Sequence, residues 1–188
     1  MSDLPSAATA RQVALVTGAR RGIGRAIALA LAGGGFDVAV NDLRPSPDLD
    51  AVRAAVEAAG RRSVAIAGDI AKLDQHAAIL DAAEQALGPL TTLVNNAGVS
   101  VASRGDLLDV SVESFDLCID VNTRGTFFLT QAFARRLLAR SRADGLHHAV
   151  VTVSSTNAVA PSIARGEYCV SKAGAAMMKR VPGAARRA

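Results

Sequence analysis

The chain has 188 residues, half of them hydrophobic, with 21 basic and 17 acidic side chains and two cysteines. That length fits one domain with a sizeable core, and no apolar run approaches the roughly 20 residues that a membrane span needs. The excess charge is local: Lys179, Arg180, Arg186 and Arg187 stand in the last ten positions, the rest balances at 17 basic to 17 acidic residues, and the body therefore offers no positive field for a nucleic-acid backbone.

The N-terminus carries Asp3 and lacks a basic stretch followed by an apolar one, so no secretory signal is expected. From there two kinds of apolar segment alternate. Short runs rich in β-branched residues at 13–17, 38–40, 63–67, 92–95 and 149–154 predict buried parallel strands. Longer Ala/Leu segments at 25–32, 49–59, 74–87 and 126–142 predict helices, the first three ending at Gly33, Gly60 and Gly88. Ser111 followed by 114–121 predicts a further helical element before Asn122, and a last helix is expected around Tyr168. Strict alternation predicts a single α/β domain over residues 1–188, a doubly wound parallel sheet of the Rossmann-like kind. Cys118 and Cys169 stand at no metal-ligand spacing; two such thiols suit a reducing compartment, most simply the cytoplasm. Cys169 reads as a packed thiol. His147 and His148, adjacent before a strand, read as a solvated turn, and no metal is expected.

The first strand runs into Thr17-Gly18-Ala19-Arg20-Arg21-Gly22-Ile23-Gly24 and then a helix. Glycines there let the backbone turn tightly and approach a pyrophosphate, while free N–H groups at the helix start meet its charge. The spacing is G-x-x-x-G-x-G, not the commoner G-x-G-x-x-G. Asp42 closes the second strand, where a carboxylate accepts hydrogen bonds from ribose hydroxyls and repels a 2′-phosphate. Arg20, Arg21 and Arg44 are the candidates to pair with such a phosphate. The cofactor is NAD or NADP, with the balance toward NAD.

Tyr168 and Lys172 are four residues apart, on one helix face. An ammonium there favours the phenolate. Ser154 and Ser155 close the fifth strand, at the sheet end where ligands of open α/β folds bind. Asn95-Asn96-Ala97-Gly98 follows the fourth strand, with small residues that allow close approach and amides that can pin backbone. Each alone has a plain reading: a surface Tyr/Lys pair, a strand-end serine, a turn, and for Asn122 a helix cap.

As an ordered set, Thr-Gly-x-x-x-Gly-Ile-Gly, Asn-Asn-Ala-Gly, Asn122, Ser155 and Tyr-x-x-x-Lys resemble the short-chain dehydrogenase/reductase family, from about residue 13 to 178. The stretches 104–109 and 165–174 are similar to its 3-oxoacyl-[acyl-carrier-protein] reductase subgroup. The resemblance implies an oxidoreductase acting on a carbonyl or secondary alcohol, in the subgroup a 3-oxoacyl thioester on acyl carrier protein in fatty acid biosynthesis. It implies Tyr168 as general acid/base, Lys172 on the nicotinamide ribose, Ser155 on the carbonyl or hydroxyl, and Asn122 holding a proton-relay water. It also implies Gly18, Gly22, Ile23 and Gly24 on the pyrophosphate, Asp42 on the ribose, Asp69 and Ile70 at the adenine, and Asn95, Asn96, Ala97 and Gly98 flanking the adenosine.

Family members continue past the Tyr/Lys helix with two strands and a substrate loop, whereas this chain ends 16 residues after Lys172. The basic residues 179–188 lose the helical apolar pattern, as a reading-frame slip near 178–181 would produce. The expectation is a fifth strand left as a bare edge, a homo-oligomer interface deprived of part of its second helix, and, as the alternative to an active enzyme, a non-catalytic nucleotide-binding remnant.

Overall fold

The computed structural model describes residues 11–140 and 146–178. The basic tail 179–188, Asp3 and the end of the predicted 126–142 helix lie outside them. β1 (Val13–Thr17), β2 (Asp37–Asp42), β3 (Ser63–Ala67), β4 (Thr92–Asn95) and β5 (Ala149–Thr152) form one parallel sheet in the order β3-β2-β1-β4-β5. Between them run α1 (Gly22–Gly33), α2 (Pro47–Ala58), α3 (His76–Leu87), α4 (Val112–Ile119) and α5 (Thr126–Leu138), and α6 (Gly166–Met178) follows β5. This is the doubly wound arrangement that the alternation predicts.

The register shows why the strands read as unbroken apolar runs. Leu15 pairs alongside Ala39 and Leu93, and these pack with Leu80 and Ala83 of α3 and Leu129 and Phe133 of α5. Their neighbours Val16, Val38, Val40 and Val94 point the other way, onto Ala28 and Ala32 of α1 and Leu49, Val52 and Val56 of α2. A parallel sheet covered on both faces needs apolar residues at every strand position. Strand order reverses at β1, which opens a crevice at the carboxyl ends of β1 and β4.

Several boundaries differ from the expectation for identifiable reasons. α1 runs through Gly33, and the left-handed residue is Gly35 at φ +91°; three consecutive glycines hid which one turns the chain. α2 begins at Pro47, with Ser46 capping it by accepting from the Leu49 N–H at 3.2 Å. A serine before a first-turn proline is a start signal that the apolar pattern alone passes over. Asp74 belongs to a 3-10 turn, Leu73–Gln75, that leads into α3. β5 ends at Thr152, so Ser154 and Ser155 follow the strand rather than close it.

The largest difference concerns Asn122. α4 passes directly through a π-helical turn, Asp120–Gly125, into α5. Asn122 therefore lies inside a continuous helical segment and caps nothing. Such π turns recur at functional sites because the widened turn redirects a side chain.

Among the described residues β5 is one edge of the sheet, opposite β3, with Val150 and Val151 exposed. Among them also, no helix is long and apolar enough to cross a membrane.

Candidate active site

A cleft of about 450 Å3 opens where strand order reverses. Its first wall is the turn after β1. Gly18 and Gly22 both take left-handed backbone, φ +63° and +57°. A Cβ on Gly18 would sit 2.7 Å from the Cα of Ala97, and one on Gly24 would run into the Gly18 carbonyl and the Asn96 amide. Those two glycines let the turn press against the segment after β4. Gly22 has nothing within 4 Å of its would-be Cβ and faces open space. Beyond it, α1 starts with no side-chain cap and no acidic residue in its first turn. Its leading N–H groups are thus left for an anion. Arg20, Arg21 and Ile23 also line the cleft.

Asn96 fastens the two walls together. Its Nδ2 donates to the carbonyls of Thr17 at 2.9 Å and Gly18 at 3.0 Å. Thr17 Oγ1 in turn accepts from the N–H groups of Asn96 and Ala97 at 3.1 and 3.0 Å, and donates to the Val94 carbonyl. Thr17 escaped sequence reasoning as a site residue because its hydroxyl acts on backbone rather than facing the cleft.

Asp42 stands at the carboxyl end of β2 and lines the cleft. Its oxygens accept from the Leu43 N–H at 2.9 Å and the Arg20 N–H at 3.3 Å. The Arg20 guanidinium lies 3.8 Å from Asp42 and 3.9 Å from Asp48, so its charge is directed onto carboxylates. Asn41, buried beside Asp42 and also missed, donates to the carbonyls of Ile66 and Gly68 at 3.1 Å each. It holds the exit of β3 against β2. Asp69 and Ile70 form that part of the wall, with Asp69 Oδ1 accepting from the Ala71 N–H at 2.9 Å.

Ala97, Gly98 and Val99 complete the lining after β4, but Asn95 does not reach it. The Asn95 side chain is buried toward α5 and donates to Thr130 Oγ1 at 2.8 Å. Leu43, Gly68 and Val121 line the cleft as well. They are apolar or small and carry no chemical signature in sequence.

None of the four reactive candidates lines the cleft itself; Lys172 and Asn122 stand at its Gly98 end, and Tyr168 lies beside Lys172. A Cβ on Gly98 would sit 3.3 Å from Lys172 Nζ and 3.0 Å from Asn122 Oδ1, so this glycine is the opening between the cleft and that polar pair. Lys172 is 6% exposed and donates to the Val153 carbonyl at 3.2 Å. Burial pulls its ammonium pKa below the ordinary 10.5. Its Nζ lies 5.9 Å from the Tyr168 ring centre, and the Arg165 guanidinium lies at the same distance.

Asn122 is 2% exposed. Its Oδ1 accepts from the Val99 N–H at 2.8 Å, and its Nδ2 donates to the Val99 carbonyl and to Ser171 Oγ, each at 2.9 Å. Ser155 is half-buried two residues beyond Val153. Its hydroxyl accepts from the Asn157 N–H at 3.1 Å and caps the 3-10 turn Thr156–Ala158, which packs on α6. A phenol, a buried ammonium and a hydroxyl beside an anion-accepting turn form an arrangement suited to proton transfer next to a bound nucleotide.

Comparison with known proteins identifies the family and agrees with the fold. The family model described as short chain dehydrogenase matches residues 12–184. A short-chain dehydrogenase/reductase of Armillaria gallica is 39% identical over 70% of this chain and 50% of its own length. An Arabidopsis thaliana NADPH-dependent aldehyde reductase-like protein of the chloroplast is 33% identical over 94% of this chain and 67% of its own. The crystal structure of a 3-oxoacyl-[acyl-carrier protein] reductase from Brucella melitensis in complex with NAD superposes with a TM-score of 0.83 at 42% identity, covering 88% of this chain and 64% of that one. The chain thus spans about half to two thirds of the length of these relatives.

Proposed function

The chain belongs to the short-chain dehydrogenase family, and on that footing we propose that it is an oxidoreductase moving a hydride between NAD and a carbonyl or secondary alcohol, with Tyr168 as general acid/base. The observation that carries this reading is the Gly98 junction, where the nucleotide cleft meets Lys172 Nζ and Asn122 Oδ1.

The residues fit a dinucleotide. The uncapped start of α1 and the bare Gly22 suit a pyrophosphate, with Gly18, Ile23 and Gly24 in the same turn. Asp42 suits the ribose hydroxyls, Asp69 and Ile70 the adenine, and Asn96, Ala97 and Gly98 the adenosine side. Asn95 supports that segment from behind by its bond to Thr130. Asp42 opposes a 2′-phosphate, and Arg20, already drawn to Asp42 and Asp48, is poorly free to receive one; of the other two candidates, Arg21 lines the cleft. This favours NAD over NADP.

The nicotinamide supplies or accepts the hydride. In reduction, Tyr168 gives its phenolic proton to the carbonyl oxygen as negative charge develops there, and in oxidation it takes that proton back. The Ser155 hydroxyl donates to the same oxygen. Lys172 stabilises the phenolate left on Tyr168 and holds the nicotinamide ribose. Asn122 would hold a water that relays the proton from solvent to Lys172.

The Brucella relative's name supports a 3-oxoacyl thioester on acyl carrier protein as the substrate, and hence fatty acid biosynthesis. Exposed Phe115, Phe127, Phe128 and Leu138 on α4 and α5 support self-association. Two free thiols suit the cytoplasm. A binding remnant without chemistry is the weaker reading, because the family match includes the whole Tyr168/Lys172 helix.

The test is reduction of a 3-oxoacyl thioester by the full chain with NADH, followed by absorbance. Tyr168→Phe is expected to lose turnover by about a hundredfold or more while still binding NADH. Equal rates for the two proteins, or no turnover by the parent chain, would overturn the reading.

A further inference from the structure

The carboxylate beside Tyr168 has no part in that chemistry, yet it is almost completely buried. Glu167 is 3% exposed in the first turn of α6. Removing a carboxylate from water is strongly unfavourable unless it is hydrogen-bonded or offset by charge. Here the positive end of the α6 dipole offsets part of it, and Ser114 Oγ donates to Glu167 Oε1 at 2.8 Å. Cys118, one turn beyond Ser114 on α4, is fully buried. Its thiol pKa is pushed up by burial first and by neighbouring Glu167 second, as expected for a side chain packed against that face of α4.

Ser114 is a crossing point. Its Oγ also accepts from the Ala102 N–H at 3.3 Å, and its own N–H donates to the capping hydroxyl of Ser111 at 3.2 Å. The side chain of this α4 residue therefore joins α6 to the loop leaving the cleft wall at Val99. That loop is held at a second place by Asn122, and Asn122 again reaches α6 through Ser171. Ser171 also donates to the Tyr168 carbonyl at 2.8 Å, while Thr123 donates to the Ser171 carbonyl at 2.8 Å.

Glu167 and Ser171 are four apart and share one stripe of α6; Tyr168 and Lys172 share the adjacent stripe. The first stripe is docked by hydrogen bonds onto α4 and the π turn. A helix anchored at two points one turn apart cannot rotate or slide, so the position of the second stripe is set by the first.

We propose that Glu167 is a positioning residue for Tyr168: through its bond to Ser114 it fixes the rotation of α6 against α4, so that the phenol is placed by that junction. This rests on the role proposed above for Tyr168. Were packing alone required, an apolar side chain would fill the position without the desolvation of a charge.

Tyr168 is the chain's only tyrosine and there is no tryptophan. The full chain labelled with 13C-tyrosine therefore gives a single-residue NMR signal that reports its placement whether or not the protein turns over. Ser114→Ala and Glu167→Ala are expected to shift or broaden that signal. They should lower kcat roughly ten- to a hundredfold, with NADH affinity changed by less than about twofold. The double variant should fall well short of the product of the two single losses, because both remove the Ser114–Glu167 contact. Glu167→Gln keeps an acceptor for the Ser114 hydroxyl and should restore the parent signal.

An unmoved tyrosine signal in folded Ser114→Ala would overturn the proposal, as would Glu167→Gln behaving like Glu167→Ala, or losses that multiply in the double variant. Ser114→Ala carries the test where Glu167→Ala does not fold. If Tyr168→Phe abolishes turnover but Ser114→Ala changes neither signal nor kcat, this inference alone fails. If the parent chain has no turnover, the proposed reaction fails and the tyrosine signal still decides the positioning.

Discussion

Lys172 Nζ donates to the Val153 carbonyl at 3.2 Å, tying the helix that carries Tyr168 to the end of β5. The same ammonium is 6% exposed, with its pKa lowered from 10.5 by burial. The ammonium is thus held against its own hydration.

This gives a pH-dependent stability prediction for Lys172→Met. In the folded chain the ammonium loses its proton at a lower pH than in the unfolded chain. Between the lowered value and 10.5 the unfolded state binds more protons, so stability rises with pH across that window. Below it the burden is constant. The methionine variant should be more stable than the parent by on the order of 1 kcal/mol at neutral pH, and the gain should shrink toward pH 10.5 while turnover is lost. Urea unfolding at several pH values measures it; a gain that stays level or grows with pH would refute the assignment.

Gly24→Ala is expected to damage both stability and nucleotide binding. The added methyl meets the Gly18 carbonyl and the Asn96 amide, which are themselves hydrogen-bonded at 3.0 Å. Neither can yield without opening the junction between the β1 turn and β4. Overpacking of this kind destabilises by about 2–3 kcal/mol. Thermal unfolding should show the loss, and NADH titration should show binding weakened more than tenfold. The substitution at Gly33, where nothing lies within 4 Å, serves as the comparison.

Asp42→Ala should move cofactor preference toward NADPH. The variant removes the charge that repels a 2′-phosphate and releases the Arg20 guanidinium from its 3.8 Å partner. The ratio of NADPH to NADH affinity should rise about tenfold or more, equivalent to roughly 1.4 kcal/mol. Fluorescence titration with the two reduced cofactors reads it directly. An unchanged ratio would remove Asp42 from the ribose subsite.

The extent to which the site could be read from the chain differs by the kind of physics involved. Strands 13–17, 63–67 and 92–95 were legible to the residue because their β-branched runs are bounded by polar and glycine positions. The left-handed residues Gly18 and Gly22 were legible as a turn, since glycine readily adopts that backbone. Asn122 was found as a residue but not as a place: a π turn has no sequence pattern, and its amide serves Val99 and Ser171 rather than a helix end. The resemblance of Asn-Asn-Ala-Gly implies Asn95 at the adenosine together with Asn96, whereas strand alternation turns its side chain to Thr130. Thr17, Asn41, Ser114 and Glu167 were not singled out. Their partners lie 25 or more residues away along the chain, and no local pattern signals such a contact.

The end of β2 opposite Asp42 carries a buried ion cluster. Asp37 opens that strand with its side chain 1% exposed, and it is met by Arg61 at 3.0 Å, Arg62 at 2.8 Å and Arg11 at 3.7 Å. The Arg62 N–H adds a bond at 3.0 Å. Burial by itself would raise the carboxyl pKa. The hydrogen bonds and charge of Arg62 and the charge of Arg61 outweigh it and hold the group below the ordinary 3.8. A folded-state pKa below the unfolded one means that this stabilisation is fully present above about pH 4 and is lost as pH falls through 3.8 toward the folded value. Asp37→Asn removes the charge and leaves the arginines facing one another, so it should destabilise by about 2–4 kcal/mol at neutral pH. The gap between parent and variant should then close under acid. Because Asp37 and Asp42 occupy opposite ends of β2, NADH affinity should be unaffected wherever the variant is folded. Urea unfolding at neutral pH and near pH 3 separates the outcomes: a gap of the same size at both would mean that the ion cluster contributes packing rather than charge.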